Sequence, residues 1–338
     1  MNLLIVNFHY CGKDNAYKAG IFPISAERLS RQLDALGSYF SFVSQRDLLD
    51  AVNGKIKLPD RSCLITFDDG LACQYEIALP ILKRKGIPAG FFVSSLPYVE
   101  HKACLVHKTH YILSAYPISE IADCIEGYYH KCNPSSPKES IIDRVKTEAT
   151  GKYRYDDPVT ASVKTILNTD SIFNATGREE IISSLFYSMI PDEQDFVDSW
   201  YLSTDQLKEL AKKEMIGLHS MSHSSLASLP VDQIEKDLRS NKENIEKIIG
   251  QKVFSISFPY GGKSDVDSSV IGVCKKIGCQ IGFTMERSFN ESLTEPLLFA
   301  RLDTNDAIGG KKPLFEINGG VPHIIGRMTN KRSIFCVE

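Results

Sequence analysis

Apolar and polar positions in the amino-terminal part of the chain alternate between two kinds of segment. Short continuous apolar runs have the length of buried strands and lie at residues 3–8, 63–67 and 90–93. Segments with apolar residues at helical spacing lie between them, at 24–36, 45–53 and 77–85. Alternating strands and helices are typical of a parallel sheet or a (β/α) barrel, so we predict an α/β fold.

The same alternation returns near residue 200. Ser203 is placed to cap a helix, and further helical segments lie at 231–249 and 264–277. Strand-like runs lie at 215–218, 253–258, 280–284 and 298–303. This part of the chain is therefore predicted to continue the same sheet.

Residues 99–199 have a different pattern. Amphipathic stretches lie at 105–115, 118–131, 137–149 and 177–190, and we find no convincing strand. We predict a barrel formed by 1–98 and 200–338, and a helical insertion at 99–199 that caps the site, because insertions after barrel strands surround the active centre. An inert helical extension or an oligomer contact is the alternative.

Two adjacent carboxylates follow one of the apolar runs. The run ends at Phe67, and Asp68, Asp69 and Gly70 come next. Successive side chains of a strand point to opposite faces, so these carboxylates can share a site only where the strand ends and the chain turns. Buried carboxylates are costly unless a cation or hydrogen bonds hold them. The triplet therefore indicates either a simple turn or part of a charged site.

Two histidines provide candidate partners for these carboxylates. His219 and His223 follow the apolar run 215–218. On one helical turn, positions i and i+4 face the same way, so we predict that both imidazoles reach one ion. Two histidines and one carboxylate are the open ligand set of catalytic zinc, which leaves a position for water or substrate.

Three motifs, in this order, resemble the first three motifs of the polysaccharide deacetylases, the carbohydrate esterases with the NodB-homology domain. They are Thr66–Gly70 (TFDDG), His219–His223 (HSMSH) and Phe258–Gly261 (FPYG). Connecting segments at 75–82, 86–93 and 202–207 are similar to the family as well. The resemblance implies a distorted (β/α) barrel of about seven strands, with a metal-dependent amide hydrolase site at their carboxyl ends.

The resemblance also implies roles for these residues. Asp69, His219 and His223 would bind a divalent cation, Zn²⁺ or another ion such as Co²⁺, Ni²⁺ or Mn²⁺, which would polarise the substrate carbonyl and activate water. Asp68 would take the proton from that water as general base, with a turn cap as the alternative. In the third motif, Pro259 and Tyr260 would lie at the substrate, and the Tyr260 N–H would contribute to the oxyanion hole.

The general acid is expected at the amino terminus. The family's usual final Leu-x-His motif has no convincing match here, and His323 fits it poorly. His9 follows the first apolar run in Phe8-His9-Tyr10, which is similar to circularly permuted family members whose acid histidine lies at the front. We therefore predict that His9 protonates the departing amine. A structural histidine at a strand end is the alternative.

The third motif differs from the family pattern in one position. The commoner version begins with arginine, whereas this chain has Ser257 there. An arginine would pair with the base and lower its pKa. We expect Arg301, at the end of a late strand, to enter from another side and do this, with Asp303 as a further partner. A surface ion pair is the alternative.

Composition narrows the function classes. The net charge is −3 with an isoelectric point near 6.3, so no basic field favours nucleic acid or anionic lipid. The nine cysteines have no paired spacing and are interpreted as reduced, packed thiols. The run Leu3–Val6 is too short for a signal peptide, and no run is long enough for a membrane span. We therefore expect a cytoplasmic protein; the oligomeric state stays open.

Together these observations predict a cytoplasmic, metal-dependent hydrolase that removes an N-acetyl group from an N-acetylated sugar. A nucleotide-linked or lipid-linked intermediate of surface polysaccharide biosynthesis is the expected substrate. The alternatives are a deformylase, a hydrolase of a non-sugar amide, and a non-catalytic binding protein on the same fold. His107 and His110 lie three residues apart and have no carboxylate beside them in the motif, so they are interpreted as a surface or lid pair. The glycine pairs Gly309-Gly310 and Gly319-Gly320 are interpreted as turns.

Overall fold

The computed structural model describes residues 2–14, 19–137, 139–153, 156–169, 171–318 and 321–326. The chain divides into two compact units. The first unit contains Met1–Gly12, Ile24–Glu100 and Asp198–Glu338, and the second contains Lys13–Pro23 and His101–Val197. That the second unit caps a site stays a prediction.

A parallel sheet forms the centre of the first unit. Its strands are β1 (Asn2–Phe8), β2 (Ser41–Phe42), β3 (Arg61–Phe67), β4 (Ala89–Val93), β5 (Ile216–Leu218), β6 (Ser255–Ser257), β7 (Ile281–Phe283) and β8 (Leu302–Asp303). The order is β7-β6-β5-β4-β3-β1-β8, and β2 pairs with the beginning of β3. Every neighbouring pair is parallel, as the strand–helix alternation predicts.

One segment links the two ends of this sheet. Phe299 exchanges backbone hydrogen bonds with β7, accepting from the Thr284 N–H at 2.8 Å and donating to the Gly282 carbonyl at 2.9 Å. Three residues later, Leu302 pairs with Val6 of β1. The sheet therefore curls on itself, which confirms the prediction of a distorted (β/α) barrel.

The helices of this unit begin and end at conventional signals. They are α1 (Ala26–Gly37), α2 (Gln45–Val52), α3 (Leu79–Lys85), α4 (Leu96–Val99), the end of α10 (Glu193–Trp200), α11 (Thr204–Ala211), α12 (Val231–Ile249) and α13 (Ser268–Lys276). Ser25, Ser44 and Ser203 accept backbone hydrogen bonds as N-caps, as the sequence predicts for Ser203. A π-helical turn at Gln74–Ala78 precedes α3, and an antiparallel hairpin, β9 (Phe315–Asn318) and β10 (Val321–Ile324), was not predicted.

The strands bury both faces, with different neighbours on each. Leu4, Val6 and Phe8 pack with the helices, whereas Leu3 and Ile5 join an inner cluster with residues of the other strands. The inner cluster also contains Leu64, Phe92, Ile281, Phe283 and Phe299. Because side chains alternate along a strand, every second residue of β1 and β3 faces the inside of the barrel.

The second unit is helical. Its helices are α5 (Leu105–Ala115), α6 (Ile118–Cys132), α7 (Ile141–Lys152), α8 (Pro158–Asn168), α9 (Ala175–Met189) and the beginning of α10. The sequence pattern missed α8 because its residues 160–167 are all buried, which removes the amphipathic contrast. His107 is fully buried, so a surface location is wrong for this residue. Gly309 has φ +77° in a turn, and Gly319-Gly320 lie outside the described residues.

Gly217 in β5 allows a close approach inside the barrel. An added Cβ there would lie 2.3 Å from the Phe92 ring and 2.7 Å from Ser255 Oγ. We expect Gly217→Ala to destabilise the protein by about 1–3 kcal/mol, because the packed interior has no room for the methyl group. Urea unfolding followed by circular dichroism measures the effect.

Gly272→Ala is the matched control. Gly272 is exposed within α13, and an added Cβ meets nothing within 4 Å. The substitution should leave stability unchanged or raise it by up to about 1 kcal/mol, since alanine is the better helix former. Equal urea midpoints for both variants would contradict the proposed close packing at Gly217.

Candidate active site

The candidate residues gather at the carboxyl ends of the parallel strands. Asp68 follows β3, His9 follows β1 and His219 follows β5. Asp69 and Gly70 both have left-handed backbone conformations, with φ of +80° and +66°, so the chain turns sharply at the strand end. A Cβ on Gly70 would lie 2.7 Å from Val93 Cγ1, which explains the glycine. The turn allows both carboxylates to face one site.

The structure brings Asp69, His219 and His223 together. Asp69 Oδ1 lies 3.4 Å from His219 Nε2 and 3.1 Å from His223 Nε2. One ligand atom from each residue lies within 4.8 Å of the others, and all three residues are buried. The predicted helical turn across the histidines is wrong: residues 219–223 form an irregular segment, with φ of +57° at Ser220 and His223.

Asp237, on α12, holds this irregular segment in place. Its carboxylate accepts hydrogen bonds from the backbone N–H groups of Met221 at 2.8 Å and Ser222 at 3.0 Å. The Ser222 hydroxyl donates to it at 2.6 Å. Asp237 was not predicted as part of the site, because nothing in its helical spacing connects it to the histidines.

The donor set fits a divalent cation. His219 Nδ1 lies 2.8 Å from the Ser257 carbonyl oxygen, so Nδ1 carries the proton and donates it. The other ring nitrogen, Nε2, therefore faces Asp69, and its lone pair is available to a cation whenever Nδ1 carries the only ring proton. One carboxylate with two imidazoles, one of them oriented by a backbone carbonyl, is a typical open coordination set for Zn²⁺ and similar ions.

Arg301 forms a two-pronged ion pair with Asp68. Nη1 donates to Asp68 Oδ1 at 2.9 Å, and Nη2 donates to Oδ2 at 2.8 Å. Arg301 is fully buried, so the pair does not lie on the surface. Asp303, the other suggested partner, instead accepts hydrogen bonds from Asn305.

The remaining Arg301 donors are also occupied. Nε donates to the Thr284 carbonyl at 3.0 Å, Nη2 to Ser257 Oγ at 2.8 Å and Nη1 to Asn7 Oδ1 at 2.9 Å. The serine that stands where the family motif commonly has arginine thus accepts a hydrogen bond from an arginine that lies immediately before β8.

These contacts set the charge of the site. Burial alone raises the pKa of Asp68, but the charges of Arg301 and His219 and the Arg301 hydrogen bonds outweigh it, and the pKa falls to about 2. Burial alone lowers the pKa of His219, whereas the carboxylates of Asp68 and Asp69 raise it above its ordinary value. Asp68 is therefore ionised at neutral pH, and the two carboxylates favour a nearby cation.

Asn7 and Gln74 were missed by the sequence analysis. Asn7 Nδ2 donates to Asp68 Oδ2 at 2.9 Å and lies 3.4 Å from His9 Nε2. Gln74 Nε2 donates to the backbone carbonyls of Asp68 at 2.5 Å and His9 at 3.1 Å. Both side chains thus connect the half-buried His9 to Asp68. The available signal was the alternation along β1, which places Asn7 on the same face as His9.

Tyr260 and Pro259 follow β6 at the same edge of the sheet. The Tyr260 ring packs edge-on against His223, with the ring centroids 5.3 Å apart. Tyr260 and Gly261 have φ of +59° and +61°, and a Cβ on Gly261 would lie 2.7 Å from the Met285 nitrogen. The sharp turn thus places Tyr260 beside the Asp69–His219–His223 cluster.

Comparisons with known proteins give a family match over part of the chain. A profile described as polysaccharide deacetylase matches residues 55–113 and 183–282. These ranges include Asp68, Asp69, His219, His223 and Tyr260, whereas His9 and Arg301 lie outside them. No sequence among the curated proteins matches the chain.

Solved structures show the same fold at low identity. The deacetylase PplD of Streptococcus pyogenes, in complex with acetate, is 13% identical with a TM-score of 0.53, over 90% of this chain and 92% of that one. IcaB from Ammonifex degensii is 18% identical with a TM-score of 0.53, over 89% and 91%. The BpsB deacetylase domain from Bordetella bronchiseptica is 15% identical with a TM-score of 0.51, over 89% and 95%.

The profile match, the barrel and the ordered motifs at its carboxyl edge agree with one another. The chain contains a polysaccharide deacetylase domain, matched over residues 55–113 and 183–282.

Proposed function

We propose that the protein is a metal-dependent hydrolase that removes the acetyl group from an N-acetylated sugar. The observation that carries the proposal is the buried cluster of Asp69, His219 and His223 beside an ionised Asp68. Zn²⁺ is the proposed ion, with Co²⁺, Ni²⁺ or Mn²⁺ as substitutes. Bound there, it would supply the electrophile for the acetamide carbonyl and lower the pKa of water.

Asp68 is the proposed general base. Arg301 holds both carboxylate oxygens, so Asp68 is ionised and oriented before substrate arrives. The same pair makes the carboxylate a weaker base, because its pKa is lowered. Arg301 is therefore proposed as a positioning residue. It lowers the basicity of Asp68 but fixes the negative charge and the orientation of that carboxylate.

His9 is the proposed general acid. It lies half-buried at the end of β1, and Asn7 Nδ2 lies 3.4 Å from His9 Nε2 and 2.9 Å from Asp68 Oδ2, so the two groups are close. Gln74 fixes the His9 backbone relative to Asp68. In this arrangement His9 donates its proton to the leaving amine, and the Tyr260 N–H donates to the oxygen of the tetrahedral intermediate.

The proposed substrate is a nucleotide-linked or lipid-linked sugar intermediate of surface polysaccharide assembly. No helix in the described parts of the chain is long and apolar enough to cross a membrane. A screen of nucleotide-linked and lipid-linked N-acetyl sugars, with released acetate and formate both measured, tests the proposal. Formate as the main product would make the protein a deformylase, and release from simple non-sugar amides alone would exclude the sugar substrate.

Metal removal and one substitution test the cluster and the base together. Chelation should abolish amide hydrolysis, and Zn²⁺ or Co²⁺ should restore it. Asp68→Asn should retain the metal, measured by elemental analysis, but lower kcat by about 10²–10⁴, because the amide cannot accept the proton. Asp205→Asn is the matched control, since its side chain is 90% exposed. Activity that survives chelation, or an Asp68→Asn variant with wild-type kcat, would contradict the proposal.

Arg301 variants test the control of charge at Asp68. Arg301→Gln removes the positive charge while burial remains, so the pKa of Asp68 should rise. Because the base works only when ionised, the acidic limb of the pH profile of kcat/KM should move to higher pH. Arg301→Lys keeps the charge without the two-pronged geometry, so a smaller shift is expected.

Arg239→Gln is the control for this series, because Arg239 pairs with Glu235 on the surface of α12. Circular dichroism and metal content establish that each variant is folded. A folded, metal-containing Arg301→Gln with an unchanged acidic limb would show that Arg301 does not control the base.

A further inference from the structure

We propose that Trp200, with Tyr10 against it, forms the surface on which the pyranose ring of the substrate lies. This inference rests on the proposed function and adds a binding subsite for the sugar ring to it. Neither aromatic residue belongs to the catalytic set described above.

The backbone after Trp200 is attached to the loop that carries Asp69. Trp200 is the last residue of α10, and Tyr201 forms an antiparallel bridge with Leu71. The Leu202 N–H donates to the Gly70 carbonyl at 2.9 Å. Trp200 is therefore held beside the turn that presents the two carboxylates.

Tyr10 connects Trp200 to the other side of the site. It directly follows His9, the proposed acid, and its carbonyl accepts a hydrogen bond from the Ile24 N–H at 3.0 Å. Its ring meets the Trp200 ring at 66°, with the centroids 6.0 Å apart. The aromatic pair thus lies between the end of β1 and the Asp69 loop.

The exposure of these side chains differs from that of their neighbours. Tyr201 and Leu202 are 3% and 1% exposed and belong to the packed interior. Trp200 and Tyr10 are half-buried, so part of the surface of each residue remains accessible, although the Trp200 Nε1 atom is buried. Half-buried aromatic rings beside a catalytic site are suited to binding rather than to core packing.

The chemistry of a pyranose fits this surface. One face of the ring presents C–H groups, and the hydroxyl and acetamido groups project from the rim. An indole buries the C–H face without competing for the polar rim groups, which can then contact the catalytic residues. A ring held in this way presents its acetamide at the edge, whereas a small non-sugar amide has no equivalent flat apolar face.

The fluorescence of Trp200 can report sugar binding directly, because Trp200 is the single tryptophan of the chain. Asp68→Asn protein is titrated with an N-acetylglucosamine oligosaccharide and with UDP-N-acetylglucosamine, and the tryptophan emission is recorded. We expect at least one probe to shift or quench the emission with saturation, since a sugar over the indole excludes water. Emission that neither probe changes overturns the proposal.

Kinetics of two variants separate binding from catalysis. Trp200→Ala should raise KM for the same probes by about tenfold with little change in kcat, and Trp200→Phe should give an intermediate KM. Tyr39→Ala is the control, because Tyr39 is 38% exposed and lies just before β2 at the opposite edge of the sheet. Its KM should equal that of the wild type.

The outcomes distinguish this proposal from the proposed function. If the wild type releases acetate and folded Trp200→Ala has an unchanged KM, the sugar-binding surface is wrong and the deacetylase stands. If sugar changes the Trp200 emission but the wild type releases no acetate, the surface stands and the deacetylase is wrong.

Discussion

The buried ion pair between Arg301 and Asp68 is the interaction on which the candidate site depends. A guanidinium fully removed from water is costly unless its donors are satisfied, and here the carboxylate and four further oxygen acceptors satisfy them. These acceptors come from Asn7 of β1, Thr66 of β3, Ser257 of β6 and Thr284 after β7. One side chain therefore joins the carboxyl ends of several strands and also keeps Asp68 ionised.

The pair also explains the altered third motif. Ser257 occupies the position where the family commonly has arginine, and its hydroxyl accepts a hydrogen bond from Arg301. The Ser257 carbonyl meanwhile orients His219. The positive charge beside Asp68 thus comes from the segment that links the two ends of the sheet, and β6 contributes hydrogen-bond acceptors to both the ion pair and the cluster. Such an exchange is possible because the electrostatic effect of a charge depends on its position and not on the segment that supplies it.

The inside of the barrel changes character along its length. Leu3 and Ile5 belong to the inner apolar cluster, and the next inward position on β1 is Asn7, which bonds to Asp68. On the segment that links the two ends of the sheet, Phe299 is followed two residues later by Arg301. β1 and the segment from Phe299 to Arg301 therefore each supply apolar packing first and a polar group near the carboxyl edge of the sheet. The apolar layer excludes water beneath the site and strengthens the electrostatic interactions above it.

Local sequence determined most of the elements of this fold. Apolar runs and helical spacing predicted where the barrel strands and helices lie, because the buried face of each element requires apolar residues at the repeat of that element. The Asp68-Asp69-Gly70 turn was also predictable, since only a strand end can direct both carboxylates to one side. By contrast, α8 escaped detection because it is buried on every face, and the histidine segment is irregular although its spacing suggested a helix.

Only the tertiary structure decided how the site is held together. Three polar residues that support the site have no distinguishing feature in the sequence: Asn7, Gln74 and Asp237. Each acts through hydrogen bonds to residues that only the folded chain brings beside it. Arg301 lies 233 positions after Asp68 in the chain. The sequence could not show whether the two residues form a buried or a surface ion pair, because the burial of Arg301 depends on how the sheet closes. Periodicity reports which face of an element is buried, whereas contacts between elements depend on the register in which the strands pair.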